Sequence, residues 1–192
     1  MILSLKQTPI IELPLGLIFH RVQLIKPRAG TVKRNRMLLP PAGLLAGRFC
    51  LRAGVTAYLA DSSETALYES IFRREVRSSV SLEILRLKSI ASFSTIRSLR
   101  LVDLRGFEER YPFLQSQRIQ FTQVIAEESA AAGYDGIFYA SSQHPHHDCV
   151  CLFERGTKKM RYENSLPLVK SGTDILLLEV VVAARRSAVE VV

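Results

Sequence analysis

Cysteine is scarce in this sequence: Cys50, Cys149 and Cys151 are the three among 192 residues. An odd and sparse set argues against the disulfide framework that many small secreted domains need. A chain of this length can bury one substantial core without such cross-links. We therefore expect a protein of a reducing compartment, and hence a cytoplasmic location.

Long hydrophobic runs are also lacking. The longest apolar stretches, residues 37–45 and 175–184, are too short to span a bilayer or are broken by proline and glycine. Lys6 and Pro9 interrupt the first residues, where a signal peptide would need a continuous apolar segment. We expect neither a membrane span nor export by the general secretory route.

Acidic residues are outnumbered by basic ones, and the formal net charge is +8. The basic side chains gather around residues 26–36, 73–77 and 155–161. Each cluster is either ordinary solvated surface or a site for an anion, namely nucleic acid, an acidic protein or the pyrophosphate of a nucleotide. Because the chain lacks helix-turn-helix, RNP and zinc-finger signatures, a non-enzymatic nucleic-acid-binding protein is the weakest interpretation. We expect no direct contact with nucleic acid.

Hydrophobic periodicity predicts two clear helices among several strands. One helix begins at the acidic and hydroxyl caps of residues 61–64 and continues to about Arg77; the other covers residues 118–132 and stops at Gly133. A mobile loop rich in proline and glycine is expected within residues 26–47. Strands are expected at residues 10–22, 56–60, 81–90, 98–104, 136–141, 149–153 and 174–184. Residues 174–192 are therefore expected to form a late strand or a partner-docking segment. Helices that do not alternate strictly with strands favour a single α+β domain over residues 1–192, not a doubly wound parallel sheet.

Short motifs in a fixed order carry a resemblance to a known family. They are His20-Arg21, then GRF at residues 47–49, AYLADS at 57–62 followed by TALYE at 65–69, YDGIFYAS at 134–141 and VCLF at 150–153. Together they resemble the RES-domain toxins, small bacterial NAD-degrading enzymes, over about residues 19–155. The sequence departs from the family pattern at Cys50-Leu51, where many members have asparagine or serine followed by proline. The pair Ser141-Ser142 leaves the register of the family's serine open by one residue.

This resemblance implies a fold similar to the ADP-ribosyltransferase toxins, with twisted central sheets and flanking helices. It implies NAD as the substrate, cleaved between nicotinamide and ribose, with water, phosphate or a protein side chain as the acceptor. The arginine, glutamate and serine that name the family match Arg21, Glu69 and Ser141, the catalytic candidates. Arg21, Arg48, Tyr58 and Ser141 are the candidates for binding NAD. An antitoxin of the Xre helix-turn-helix type is the expected partner, and a homodimer within that complex is a further expectation.

The candidate site residues have side chains that suit the cleavage of NAD. A carboxylate such as that of Glu69 stabilises the oxocarbenium-like sugar that forms as nicotinamide leaves, although a helical Glu69 could equally pair with Arg73 on the surface. Arg21 offers a planar fork to a pyrophosphate, and whether Arg21 or Arg48 is the main phosphate ligand stays open. Tyr58 could stack on nicotinamide or fill the core.

Two predictions concern residues 141–151. We expect the Ser141 hydroxyl to position the substrate and not to attack it, because no base or serine-hydrolase elbow accompanies it. The histidines at positions 144, 146 and 147 precede Cys149 and Cys151, but their spacing matches no closed structural zinc site. A strand that carries two small buried cysteines is the simpler account, and no metal is expected.

Overall fold

The computed structural model describes residues 3–45, 47–73, 78–114 and 119–192. Within these ranges the helices are α1 Ser63–Ser70, α2 Leu82–Arg86, α3 Ile119–Ala131, α4 Glu154–Thr157 and α5 Leu178–Ser187. The strands are β1 Ile10–Leu13, β2 Ile18–Leu24, β3 Val32–Arg34, β4 Met37–Leu39, β5 Thr56–Ala60, β6 Ser79–Val80, β7 Lys88–Thr95, β8 Leu99–Asp103, β9 Gly136–Ala140, β10 Asp148–Phe153, β11 Met160–Pro167 and β12 Glu190–Val191.

One eight-stranded sheet forms the centre of the fold, in the order β1-β8-β9-β10-β5-β2-β7-β11. Neighbouring strands are antiparallel except β8 and β9, which pair in parallel. Helix α3 connects the parallel pair β8 and β9 as a βαβ crossover, but a sheet whose other neighbouring strands are antiparallel is an α+β architecture. The predicted fold class is therefore confirmed.

Apolar side chains cover both faces of this sheet, as strand β10 illustrates. Cys149 and Cys151 belong to the layer that includes residues of α3, whereas Val150 and Leu152 belong to the layer under the β3–β4 hairpin. All four are buried. Side chains alternate between the two faces of a strand, so a strand covered on both sides is apolar at every position. The two cysteines are small buried side chains, as predicted.

Helix α1 begins where the sequence indicates. The Ser62 hydroxyl accepts a hydrogen bond from the backbone nitrogen of Thr65 at 3.1 Å and so caps the helix. The helix ends at Ser70, before the predicted end near Arg77, and residues 74–77 lie outside the described ranges. Strand β5 leads directly into this helix, so Tyr58 and Glu69 are held by adjacent elements.

The late strand predicted at residues 174–184 is wrong, because α5 occupies most of that segment. Val180 and Ala183 are fully buried in a cluster with residues of α1. Burial of this helical face overrides the strand preference of consecutive valines. The C-terminal segment therefore packs on the rest of the protein, and Glu190 and Val191 continue it as a short strand beside β6.

Three other boundaries differ from the prediction. The segment 10–22 is two strands, because a turn with Gly16 at φ +87° separates β1 from β2. The predicted strand at residues 81–90 contains α2, which Ser81 caps, before β7 begins. The predicted mobile loop contains the β3–β4 hairpin, which buries Met37 completely. None of the helices in the described ranges is long and apolar enough to cross a bilayer.

Candidate functional site

A cavity of about 1240 Å³ opens between α1, strands β2, β5 and β9, and the loops around residues 47 and 143. It brings together four of the five predicted site residues, namely Arg21, Arg48, Tyr58 and Glu69. Ser141 lies directly behind the wall of the cavity, and its neighbour Ser142 lines it. Residues distant in sequence therefore meet at one concave surface, as expected for a small-molecule site.

Glu69 is the acidic residue among the described residues that line this cavity. Its Oε1 accepts hydrogen bonds from the Ser141 hydroxyl at 2.6 Å and from the backbone nitrogen of Ser142 at 3.1 Å. Its Oε2 lies 3.8 Å from Nη2 of Arg48, and 21% of its side chain is exposed. The carboxylate is thus oriented by named donors at the cavity wall and does not lie loosely on a helix surface.

The Ser141 hydroxyl is at the centre of this arrangement. Its oxygen accepts hydrogen bonds from the backbone nitrogens of Gln143 at 3.2 Å and His144 at 3.0 Å, while its proton is donated to Glu69. Ser141 is 6% exposed, whereas Ser142 is exposed. The hydroxyl that contacts Glu69 is therefore that of Ser141, and Ser142 adds a backbone donor. This geometry positions the carboxylate, whereas the sequence predicted a hydroxyl that contacts the substrate.

Arg48 is held from two sides. Its Nη1 donates to the carbonyl oxygen of Leu114 at 2.8 Å, and its guanidinium lies 4.9 Å from the centre of the Tyr139 ring. The preceding Gly47 is packed against Tyr58, since a Cβ at this position would lie 2.6 Å from the tyrosine hydroxyl oxygen. The glycine of the GRF motif is therefore explained by this close approach.

Arg21 is also anchored by the main chain. Its Nη1 donates to the carbonyl oxygen of Tyr58 at 2.8 Å and its Nη2 to that of Leu38 at 3.3 Å. Its buried Nε has no hydrogen-bond partner within the described part of the chain. Burial lowers the pKa of Arg21, but an arginine stays protonated under ordinary conditions. Arg21 thus contributes a fixed positive charge to the cavity wall.

Tyr58 is half-buried and packs against the core on one side. Its hydroxyl oxygen accepts a hydrogen bond from the backbone nitrogen of Phe49 at 2.7 Å and so ties the GRF loop to strand β5. The same side chain lines the cavity. Burial raises its pKa well above the usual value, so the phenol stays neutral.

The sequence model of the RES domain matches residues 20–171 of this chain, which is most of its length. The chain belongs to the RES domain family. A chain from the crystal structure of the M. tuberculosis MbcT–MbcA toxin–antitoxin complex has a similar fold, with a TM-score of 0.62 at 12% sequence identity. The similarity covers 82% of this chain and 86% of that one. No curated protein shows significant sequence similarity.

This RES domain also carries cavity residues that sequence motifs did not assign to the site. One of them is His144, whose Nδ1 lies 2.7 Å from the Thr65 hydroxyl and whose ring stacks on His147 at 3.8 Å. Burial, followed by the neighbouring His147, lowers the pKa of His144. His147 in turn contacts the Asp61 carboxylate at 3.1 Å.

The described residues contain no group of three potential metal ligands. The signal that could have placed His144 is its spacing of three residues from Ser141, typical of a turn built on a serine hydroxyl.

Tyr68 and Arg186 are two further cavity residues that sequence motifs did not assign. Tyr68 is the residue before Glu69 in α1, and its ring meets that of His144 edge-on. Arg186 comes from α5, which lies beyond the match to the RES domain at residues 20–171. No motif could have placed Arg186, because its position depends on how α5 packs against α1.

Proposed function

We propose that this RES domain protein cleaves NAD at the bond between nicotinamide and ribose, and that it is the toxin of a toxin–antitoxin pair. One observation carries the proposal: a carboxylate, Glu69, is oriented by Ser141 at the wall of a cavity that also presents Arg21 and Arg48. This arrangement matches what the reaction needs, which is negative charge beside the sugar and positive charge beside the phosphates.

The chemistry follows from charge development. As the bond from the ribose C1′ to nicotinamide breaks, its electron pair leaves with the nicotinamide nitrogen and the sugar gains positive charge. Glu69 stabilises that charge, an effect worth about 2.7–4 kcal/mol for one preorganised group. The acceptor oxygen then bonds to C1′; when the acceptor is water or a side-chain hydroxyl, its proton is released to the solvent. Because Ser141 and Ser142 already hold Oε1 at 2.6 Å and 3.1 Å, little reorganisation is needed at the moment of reaction.

The arginines bind the pyrophosphate in this proposal. Arg21 and Arg48 keep their guanidinium groups in place through hydrogen bonds to main-chain oxygens. Their charge is therefore preorganised, which lowers the entropic cost of binding an anion. Tyr58, between the GRF loop and the cavity, supplies a flat neutral ring against which nicotinamide or its ribose can stack.

Purified protein incubated with NAD tests the activity. Chromatography should show loss of NAD and appearance of nicotinamide, together with ADP-ribose if water is the acceptor or a phosphorylated ADP-ribose if phosphate accelerates the reaction. Isotope-labelled NAD added with cell extract would reveal transfer to protein side chains. EDTA should leave the rate unchanged, since no metal is proposed. A folded protein that leaves NAD intact with and without phosphate contradicts the proposal.

The partner proposal rests on the likeness to a chain of a toxin–antitoxin complex. We expect an antitoxin of the Xre helix-turn-helix type, encoded beside this gene, and a homodimer of this chain within the complex. Expression of this protein alone should arrest bacterial growth, and co-expression of the neighbouring gene should relieve the arrest. Glu69→Gln should remove toxicity without the antitoxin. Arrest that persists with Glu69→Gln would separate toxicity from catalysis.

A further inference from the structure

The cavity is more cationic than its two predicted arginines account for. Four arginines line it, Arg21, Arg48, Arg73 and Arg186, against Glu69 as the acidic residue among the described lining residues. Such an imbalance in a concave site focuses a positive potential that attracts an anionic ligand. Arg186 differs from the other three arginines because it belongs to the C-terminal helix α5, outside the residues that match the RES domain.

Packing of α5 against α1 explains how Arg186 reaches the cavity. Val180 and Ala183 of α5 are fully buried in a cluster that includes Leu67 of α1 and Ile71, the residue that follows the helix. The last turn of α5 therefore lies beside the cavity, where Arg186 and Ser187 both contribute to its lining. Arg185, one position earlier, is exposed and does not line the cavity.

Arg186 is held differently from Arg21 and Arg48. Arg21 and Arg48 donate to main-chain oxygens. The Arg186 side chain is 64% exposed, and its Nη1 pairs with Oε1 of Glu64 at 2.9 Å. Ion pairs this accessible to water contribute little and can be exchanged for another anion. A phosphate offers a guanidinium a two-point contact that is stronger than a solvated carboxylate pair.

The position of Arg186 relative to Glu69 defines what it can contact. Arg186 pairs with Glu64 near the start of α1, whereas Glu69 lies five residues later, about 7.5 Å farther along the helix axis and about 140° around it. A ligand whose ribose lies at Glu69 must therefore extend away from Glu69 before it meets Arg186. In a dinucleotide, the groups that extend from this ribose are the phosphates.

We propose that Arg186 of the C-terminal helix binds the pyrophosphate of the dinucleotide and is a substrate-binding residue outside residues 20–171, which match the RES domain. The inference rests on the proposed function. In this proposal a helix that follows the matched residues contributes to binding an anionic substrate.

Calorimetric titration of the full chain with ADP-ribose tests this assignment, because ADP-ribose keeps the pyrophosphate but has no bond to cleave. Arg186→Ala should raise Kd about tenfold, as expected for loss of one charge-assisted contact. The matched control Arg185→Ala removes an equal charge from the neighbouring position and should leave Kd within about twofold. Arg186→Gln, with a side chain closer in size to arginine, should behave like Arg186→Ala.

Glu64→Gln separates ligand binding from a structural role. Arg186 could serve only to fasten α5 to α1 through Glu64. In that case Arg186→Ala and Glu64→Gln weaken ADP-ribose binding and thermal stability alike, and the proposal is overturned. If Arg186 contacts the phosphates, Glu64→Gln keeps or tightens binding, because it releases the guanidinium.

Titration with inorganic phosphate alone tests whether Arg186 binds free phosphate and not the pyrophosphate of the dinucleotide. If Arg186→Ala weakens binding of inorganic phosphate and leaves ADP-ribose unaffected, the assignment to the pyrophosphate is overturned. Equal Kd values for the Arg185 and Arg186 variants in a protein that releases nicotinamide from NAD overturn this inference alone. A folded wild-type chain that neither binds ADP-ribose nor consumes NAD overturns the proposed function as well.

Discussion

Two carboxylates of this RES domain, Asp135 and Glu69, show how similar chemical groups serve opposite purposes. Asp135 is 1% exposed; its Oδ2 accepts hydrogen bonds from the backbone nitrogen of Arg100 at 2.8 Å and from Nζ of Lys159 at 2.6 Å. Its Oδ1 lies 3.4 Å from Nε of Arg155. Glu69 is held by neutral donors on Oε1, has one guanidinium, that of Arg48, 3.8 Å from Oε2, and lies at the wall of a cavity. A carboxylate surrounded by cations stabilises the fold, whereas one aimed at a cavity is available to a ligand.

The largest expected effect is on stability, from Asp135→Asn. This change leaves the buried end of Lys159 without its counter-charge, which typically costs about 3–5 kcal/mol. Urea denaturation followed by circular dichroism should show the loss. Glu154→Gln removes a half-exposed carboxylate that pairs with Arg34 and Lys158, and should change stability by less than about 0.5 kcal/mol. Equal stability of the two variants would mean that Asp135 is not structural.

Glu69→Gln should have the opposite profile. Loss of the negative charge at the sugar should lower kcat about 100- to 1000-fold, while the free energy of unfolding changes by less than about 1 kcal/mol. Steady-state release of nicotinamide, measured beside a denaturation curve, gives both quantities. Glu83→Gln, at a position whose side chain is 84% exposed, should leave kcat unchanged. A Glu69 variant that keeps full kcat would show that the cavity carboxylate is not catalytic.

Ser141→Ala should have a smaller effect on the same reaction. The variant removes a hydrogen bond to a charged group, typically worth about 1.5–3 kcal/mol, and so lowers kcat by roughly 10- to 100-fold with little change in KM. Ser142→Ala keeps the backbone nitrogen that contacts Glu69 and should retain kcat. If the Ser142 variant loses more activity than the Ser141 variant, Ser141 does not position the carboxylate.

How much of this could be predicted from the sequence differs between the two carboxylates. The resemblance through the motifs singled out Glu69, Arg21, Arg48, Tyr58 and Ser141, and capping residues located the start of α1. The motif containing Asp135 was recognised, but its burial among cations from other elements was not, because those contacts join positions far apart in the chain. The same limit applies to Arg186: the sequence predicted a strand at residues 174–184, whereas packing against α1 makes residues 178–187 a helix that carries Arg186 to the cavity.

The smallest predicted effect concerns pH. Burial lowers the pKa of both His20 and His144 below the ordinary value of 6.5. As pH falls through 6.5, these histidines take up protons in the unfolded chain before they do so in the folded protein. The free energy of unfolding therefore decreases until the pH has passed the lower pKa values of the folded state. Thermal denaturation from pH 7.5 to pH 5 should show this decline, and His144→Asn should reduce it. A constant or rising stability over that range would contradict the burial of these imidazoles.

The central claim is that Glu69 lies beside the ribose whose bond to nicotinamide breaks. A crystal structure of the Glu69→Gln variant soaked with NAD tests it most directly. The account predicts the nicotinamide ribose within hydrogen-bond distance of residue 69 and the phosphates against the arginines of the cavity. NAD bound with its ribose away from residue 69, or in another part of the molecule, would contradict it.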